Sequence, residues 1–278
     1  MRIEKPAQLK LHNPGELEIY FIGTGSAFAK TLNQNNLIIV KGEHHVMIDC
    51  GTKCSQALHE IGLPIASIRN FVITHSHADH VGGLEEVHLF SRYVLGEKPL
   101  MVINEDYEPI LWHQSLQGGS ERSEAVPLTF TDLWQIRRPT LLQNMPRETW
   151  KTTIGEIDIK LPRTMHFPDS ALSWEDSAWS CAVILDDKVM FTSDTRFDAA
   201  LIEDYDNLMD LEVIFHDCQL FTGGVHASLD ELSELPDKLR SKIILMHYGD
   251  NWRDFEDVAL KRGFHSWAKQ GHSYLFDH

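Results

Sequence analysis

Short apolar runs that break off at a histidine or an aspartate recur along this chain. They restrict its possible folds more than any other feature. FVIT at 71–74 leads straight into His75-Ser76-His77-Ala78-Asp79-His80. VMFTS at 189–193 ends at Asp194, and IILM at 243–246 ends at His247. IDIKLP at 157–162 is followed a few residues later by His166. Apolar runs this short read as buried strands rather than helices. A fold that suits all of them gathers their ends at one edge, which is where α/β sheets carry their chemistry.

The side chains at those ends are five histidines and two carboxylates. Neutral imidazole and carboxylate suit zinc, with manganese or iron close behind. His75 and His77 lie two apart in an extended segment and so point the same way, toward one ion. Asp79 and His80 lie past a turn and face a second. Asp194 can bridge two cations, which histidine cannot. The expected centre holds two divalent metals roughly 3.5–4 Å apart that share a hydroxide. A surface histidine run, with Asp79 as a helix cap, is the bland alternative. The matching residues downstream weigh against it.

The rest of the chain reads as one α/β domain over 1–278. Strands are expected at 17–22, 36–40, 44–48, 99–104, 178–185, 188–193 and 211–215. Hairpins join 36–40 to 44–48 and 178–185 to 188–193. Helices fit 53–61, 198–209, 228–240 and 252–262, and another begins inside the histidine cluster. Residues 105–150 are read as helices and loops that form a lid or covering segment. Trp112, Trp134 and Trp150 within it are read as core anchors rather than a base-stacking surface.

Charge narrows the function. With 25 basic and 41 acidic residues the net charge is −16. That balance disfavours broad binding to nucleic acid, which relies on Lys and Arg. Two divalent ions would return four positive charges to one site. No apolar stretch approaches the roughly 20 residues of a membrane span. The N-terminus has no apolar signal core, so a cytoplasmic protein is expected. Cys50, Cys54, Cys181 and Cys218 form no C-x-x-C pair and read as isolated buried thiols. Of the sixteen histidines, His12, His44, His45, His59, His88, His113, His265, His272 and His278 have no partner pattern. They are read as surface or packing residues.

The cluster HSHADH resembles the H-x-H-x-D-H signature of the metallo-β-lactamase superfamily. An earlier Asp49 in IDCG, then His166, Asp194 in TSDT and His247 in LMHYGD complete its motifs in order. The resemblance covers about 17–250 and implies a four-layer αββα sandwich. It implies that His75, His77 and His166 hold one metal, that Asp79, His80 and His247 hold the other, and that Asp194 lies between. Asp79 is expected to be indispensable for turnover. Asp49 is implied to orient a ligand rather than bind metal.

Within that superfamily, FIGTGSA, the SDT triplet and IFHDCQLFTGGVHAS at 214–228 are similar to the tRNA 3′-processing endonuclease branch. HDCQ and HAS stand where those enzymes have His-Glu-Ala-Thr and His-Ser-Thr. His226 can protonate a departing alkoxide, and Asp217 can orient it and raise its pKa. The alternative is that His226 caps a helix and Asp217 is solvated; His216 is read as structural. The tRNA enzymes carry a long Gly/Pro-rich arm before the bridging aspartate. Here only 27 residues separate His166 from Asp194, and 165–180 is acidic. The sequence therefore looks closer to the compact anti-Pycsar phosphodiesterases, which open small cyclic nucleotides. The expected activity is a dimetal, zinc-type phosphodiesterase on a small cyclic nucleotide, in a homodimer. The alternatives are an RNase of the tRNA-processing kind and a non-catalytic metal-binding sensor.

Overall fold

The structure, a computed structural model, describes residues 1–277; His278 lies outside the described residues. Two eight-stranded mixed sheets form the centre. The first runs, edge to edge, Arg2–Glu4, Ser273–Phe276, Leu17–Phe21, Leu37–Lys41, His44–Ile48, Asn70–Val72, Leu100–Val102 and Gln135–Arg137. The second runs Ser266–Trp267, Ile243–Met246, Val213–Asp217, Val189–Phe191, Val183–Leu185, Ile157–Pro162, Thr149–Ile154 and Thr140–Leu141.

Alternation along the strands explains the layering. Val213 and Phe215 belong to the core shared with the first sheet, whereas Ile214 packs among the outer helices. The same split places Val183, Leu185, Val189 and Phe191 inward and Ile184 and Met190 outward. Side chains two apart share a face, so one strand feeds two cores. Between the sheets Phe215 meets Phe21 at 4.9 Å and Tyr274 at 5.0 Å between ring centroids. Each fully buried aromatic of this kind contributes roughly 2–3 kcal/mol. Leu201, Tyr205, Leu229, Leu232 and Leu239 cover the outer face of the second sheet from the helices Ala199–Met209, Leu229–Leu232 and Asp237–Arg240. Ala57, Leu58, Leu84 and Val87, from Cys54–Glu60 and Leu84–Phe90, pack with the first sheet. This is the expected αββα sandwich.

Each sheet has a parallel half. In the first it comprises the strands His44–Ile48, Asn70–Val72, Leu100–Val102 and Gln135–Arg137. In the second it comprises Val189–Phe191, Val213–Asp217, Ile243–Met246 and Ser266–Trp267. Parallel strands finish at the same edge, so the residues just beyond them collect there. Both expected hairpins form. In the second, Asp186 and Asp187 have φ of 52° and 56°, the left-handed conformation a primed two-residue turn requires.

Some elements differ from the sequence reading. The helix expected over 228–240 is two short helices, because Pro236 ends the first segment and opens the second. The helix over 252–262 begins as a tighter turn at Trp252–Phe255 before Glu256–Lys261 becomes α-helical. Residues 105–150 hold strands as well as helices. Gln135–Arg137 closes the edge of one sheet, while Thr140–Leu141 and the start of Thr149–Ile154 lie in the other. QIR and TL are too short and too exposed to show a period of two. Trp112, Trp134 and Trp150 are all buried in the main core.

Candidate metal centre

At the shared strand edge the chain turns sharply three times. Asp49, Ser193 and His247 have φ of 63°, 52° and 55°. Left-handed backbone costs a non-glycine residue roughly 1 kcal/mol or more and collects at functional sites. Here each turn lies at, or one residue before, a side chain of the cluster.

The histidines and carboxylates singled out in the sequence meet in one place. Ligand atoms of His75, His77, His166 and Asp194 lie within 4.8 Å of one another, as do those of Asp79, His80, Asp194 and His247. Asp194 is common to both groups. His75 Nε2 lies 3.0 Å from His77 Nδ1, and His166 Nε2 lies 3.1 Å from the same atom. His247 Nε2 is 3.2 Å from Asp79 Oδ2 and 3.3 Å from Asp194 Oδ2.

The rings are held from behind. Asp49 Oδ2 accepts from His80 Nδ1 at 2.6 Å, and Asp49 also accepts from the Thr74 N–H and hydroxyl at 2.8 Å each. Those contacts aim His80 Nε2 at Asp79 and Asp194, 3.3 Å from each. His166 Nδ1 donates to the Val225 carbonyl at 2.8 Å. Such backing fixes tautomer and ring direction.

Electrostatics test whether cations fit. Asp49, Asp79, Asp194 and Asp217 are all buried. Both oxygens of Asp194 and the Nε2 of His80 lack any hydrogen-bond partner. Buried carboxylates left this way are costly unless a cation joins them. Burial pushes the His75 ring well below its usual value, helped by His80 and His166, and takes His166 down to about 4. Both rings are therefore neutral and ready to ligate. Burial opposes the charge on His80, but Asp194, Asp49 and Asp79 outweigh it and hold the ring protonated. A divalent cation would take the place of that proton. The donor set fits two divalent ions.

Beside this cluster stands the second pair. His226 Nδ1 donates to Asp217 Oδ2 at 2.8 Å and lies 3.9 Å from Asp194. Burial lowers the His226 pKa, but the Asp217 hydrogen bond and the Asp194 charge overcome it and raise the ring to about 9. His216 Nδ1 donates to the Asp217 carbonyl at 2.8 Å and lies 3.2 Å from Asp217 Oδ1, the carboxylate oxygen that His226 does not hold. The solvated alternative for Asp217 is excluded, since it is fully buried. The helix after His226 is capped by Ser228, in a reciprocal box with Glu231.

A family model described as anti-Pycsar protein Apyc1 matches residues 17–274. The chain belongs to the anti-Pycsar Apyc1 family. The Apyc1 of Bacillus phage BSP38 is 38% identical over 266 residues, covering 93% of this chain and 98% of its own. The Apyc1 of Paenibacillus sp. (strain J14) is 33% identical over 249 residues, covering 89% and 96%. Among solved structures, the metallo-β-lactamase fold protein YhfI from Bacillus subtilis superposes with a TM-score of 0.67 at 14% identity, covering 94% of this chain and all of that one. A diphosphatase of the PhnP family does so with a TM-score of 0.67 at 16% identity, covering 94% and 98%. Human tRNase Z, short form, gives a TM-score of 0.57 at 16% identity, covering 84% and 93%. These likenesses establish the metallo-β-lactamase fold for this family member.

Several residues at the site carried no signal of their own in the sequence. Asn36 is buried, donates to the Asp79 carbonyl at 3.0 Å and accepts from the Gly51 N–H at 2.9 Å. It ties the HADH turn to the IDCG turn. Ser193 donates to the Thr74 hydroxyl at 2.7 Å, bracing Asp49. Tyr107, from 105–150, meets the Ser76 hydroxyl at 3.0 Å, between the first two histidines. No rule of spacing marks such residues; only contact does. The four cysteines are buried and free, as expected. Cys50 and Cys54 are not isolated, however: burial pushes the Cys54 thiol well up, and the neighbouring Cys50 adds to the rise.

Proposed function

We propose that this chain is a metal-dependent phosphodiesterase that opens a small cyclic nucleotide. The observation that carries this reading is the Asp217–His226 pair, 2.8 Å apart, set against Asp194 in the metal cluster. Membership in a family named for countering Pycsar points to the same substrate class.

Under this reading His75, His77 and His166 hold one ion and Asp79, His80 and His247 the other, with Asp194 shared. Divalent ions, zinc first among them, would neutralise phosphoryl oxygens and lower the pKa of a water. The chain's own residues do the rest. Asp49 and the Val225 carbonyl keep His80 and His166 aimed. Asp217 occupies His226 Nδ1 and leaves Nε2 free to donate. A water that has released a proton to solvent bonds through its oxygen to phosphorus as the bond from phosphorus to the ribose oxygen breaks. That oxygen departs with the proton from His226 Nε2. A structural metal site needs no such donor, which disfavours the sensor alternative. The net charge of −16 disfavours RNA.

The test is hydrolysis of a panel of 3′,5′-cyclic mononucleotides by protein loaded with zinc or manganese. His226→Ala is expected to lower kcat by roughly 10²–10⁴-fold with the metal content unchanged. Asp217→Asn is expected to fall between that variant and the parent. Full turnover by His226→Ala would remove the proposed donor. No turnover by the parent chain with two metals bound would direct attention to structured RNA. Light scattering on the same samples tests the homodimer.

A further inference from the structure

Beside the catalytic pair lies a cleft of about 320 Å³. His226 and His247 form part of its lining, and so do Phe28 and Phe221. Phe28 is 86% exposed and Phe221 69% exposed. Leaving two large aromatic rings in water beside a reaction centre forfeits burial energy that packing would recover.

Both rings sit on loops that the chain holds in place. Phe28 belongs to the segment after the strand Leu17–Phe21. The Asp250 carboxylate accepts from the Lys30 N–H at 2.7 Å, the Thr31 N–H at 3.0 Å and the Thr31 hydroxyl at 2.6 Å. The Ser26 N–H also donates to the Tyr248 carbonyl at 3.0 Å. The loop with Phe28 is thus pinned to the residues that follow His247. Phe221 lies on the loop that leads to His226. There the Gln219 side chain donates to the Gly223 carbonyl, and Gly223 and Gly224 take φ of 94° and 96°. Each loop therefore joins one exposed ring to one histidine of the site.

We propose that Phe28 and Phe221 form the nucleobase subsite, stacking the base of the cyclic nucleotide while its phosphate sits at the metal cluster. This rests on the phosphodiesterase reading above. The occupant must be apolar and flat on its faces, and must be tethered to a phosphodiester within reach of His226; a nucleobase meets both conditions. A cavity of this size also lies at the lower end of small-ligand sites. The two rings are specificity residues rather than catalytic ones, since they touch the part of the substrate that does not react.

Kinetics of the holoenzyme on a cyclic mononucleotide that the parent hydrolyses provide the test. Phe28→Ala and Phe221→Ala should each raise KM by roughly ten- to a hundred-fold, with kcat within about three-fold of the parent. Phe28→Tyr should keep KM within about three-fold, because the stacking face is kept. An unchanged KM in both alanine variants overturns the subsite alone. A fall in kcat at constant KM also overturns it, because that pattern belongs to the reaction centre. A lower mass by light scattering in the alanine variants would assign the rings to a contact with a second copy, and would likewise overturn it. Absence of turnover by the parent on every cyclic nucleotide overturns the functional reading and this one together.

Discussion

On the helix Leu84–Phe90, His88 is buried with its Nε2 2.8 Å from the Ser120 hydroxyl and its ring edge-on to Trp134. Burial pushes its pKa down to about 4, against about 6.5 in an unfolded chain. The unfolded chain therefore takes up the proton first. The stability this neutral ring permits is complete above pH 6.5 and is lost as the pH falls from 6.5 toward 4. At pH 5 the loss is about 2 kcal/mol. Urea unfolding of the parent and of His88→Gln at pH 7 and pH 5 isolates it. The variant keeps a partner for Ser120 and should lose about 2 kcal/mol less between the two values. Equal losses would show that His88 does not titrate in that range. The contrast with the site is instructive. His88 and His75 are both buried histidines, but only His75 lies among carboxylates and other imidazoles. Crowding in HSHADH marks this for His75, whereas no spacing pattern distinguishes His88 from the other surface or packing histidines.

Two turns, IDCG and HADHVGG, pack against each other and set the angle of the helix Ala78–Val81. The Cys50 N–H donates to the His80 carbonyl at 2.7 Å, and the Gly83 N–H donates to the Cys50 carbonyl at 2.8 Å. Gly51 is there because a methyl at its Cα would overlap the Asp79 carbonyl oxygen. A methyl on Gly83 would come within 2.7 Å of the Gly51 carbonyl oxygen and 2.8 Å of Cys50 Sγ. Gly51→Ala should therefore shift Asp79 and His80 together. The expected cost is about 3 kcal/mol, the upper end of ordinary overpacking, with metal binding weakened in parallel. Denaturant unfolding and metal content per chain check both. A normal metal content in a destabilised variant would separate the turn from the site. At this scale the strands were readable wherever an apolar run had a clear end. Edge strands such as Gln135–Arg137 were not, because pairing with Leu100–Val102, and not composition, makes them strands.

For the molecule as a whole, four buried carboxylates, Asp49, Asp79, Asp194 and Asp217, gather at one edge of the sandwich, and burying charge is costly. Asp194 is fully buried with neither oxygen hydrogen-bonded. Burial disfavours its charge, and His247, His80 and His226 outweigh that and hold it ionised. Cations that bind the folded chain and not the unfolded one add RT ln(1 + [L]/Kd), about 2.7 kcal/mol at a hundred-fold excess over Kd. Dialysis against a chelator should lower the midpoint of thermal unfolding by several degrees. Adding zinc or manganese back should restore it, with two ions bound per chain. Calorimetry with metal analysis reads both, and a midpoint indifferent to chelation would mean that the cluster is stable without cations. The histidines and carboxylates that meet at this edge, their order along the chain and the strands that carry them are legible in the sequence, because short apolar runs and histidine spacing are local properties. The sequence also placed Asp217 and His226 near each other, being nine residues apart on one strand and its loop. That Asn36 ties the two turns, and that Phe28 and Phe221 share a cleft, follows from the folded arrangement alone. Those relations join residues up to nearly two hundred positions apart. They exist only because two sheets, each with a parallel half, bring their strand ends to the same edge.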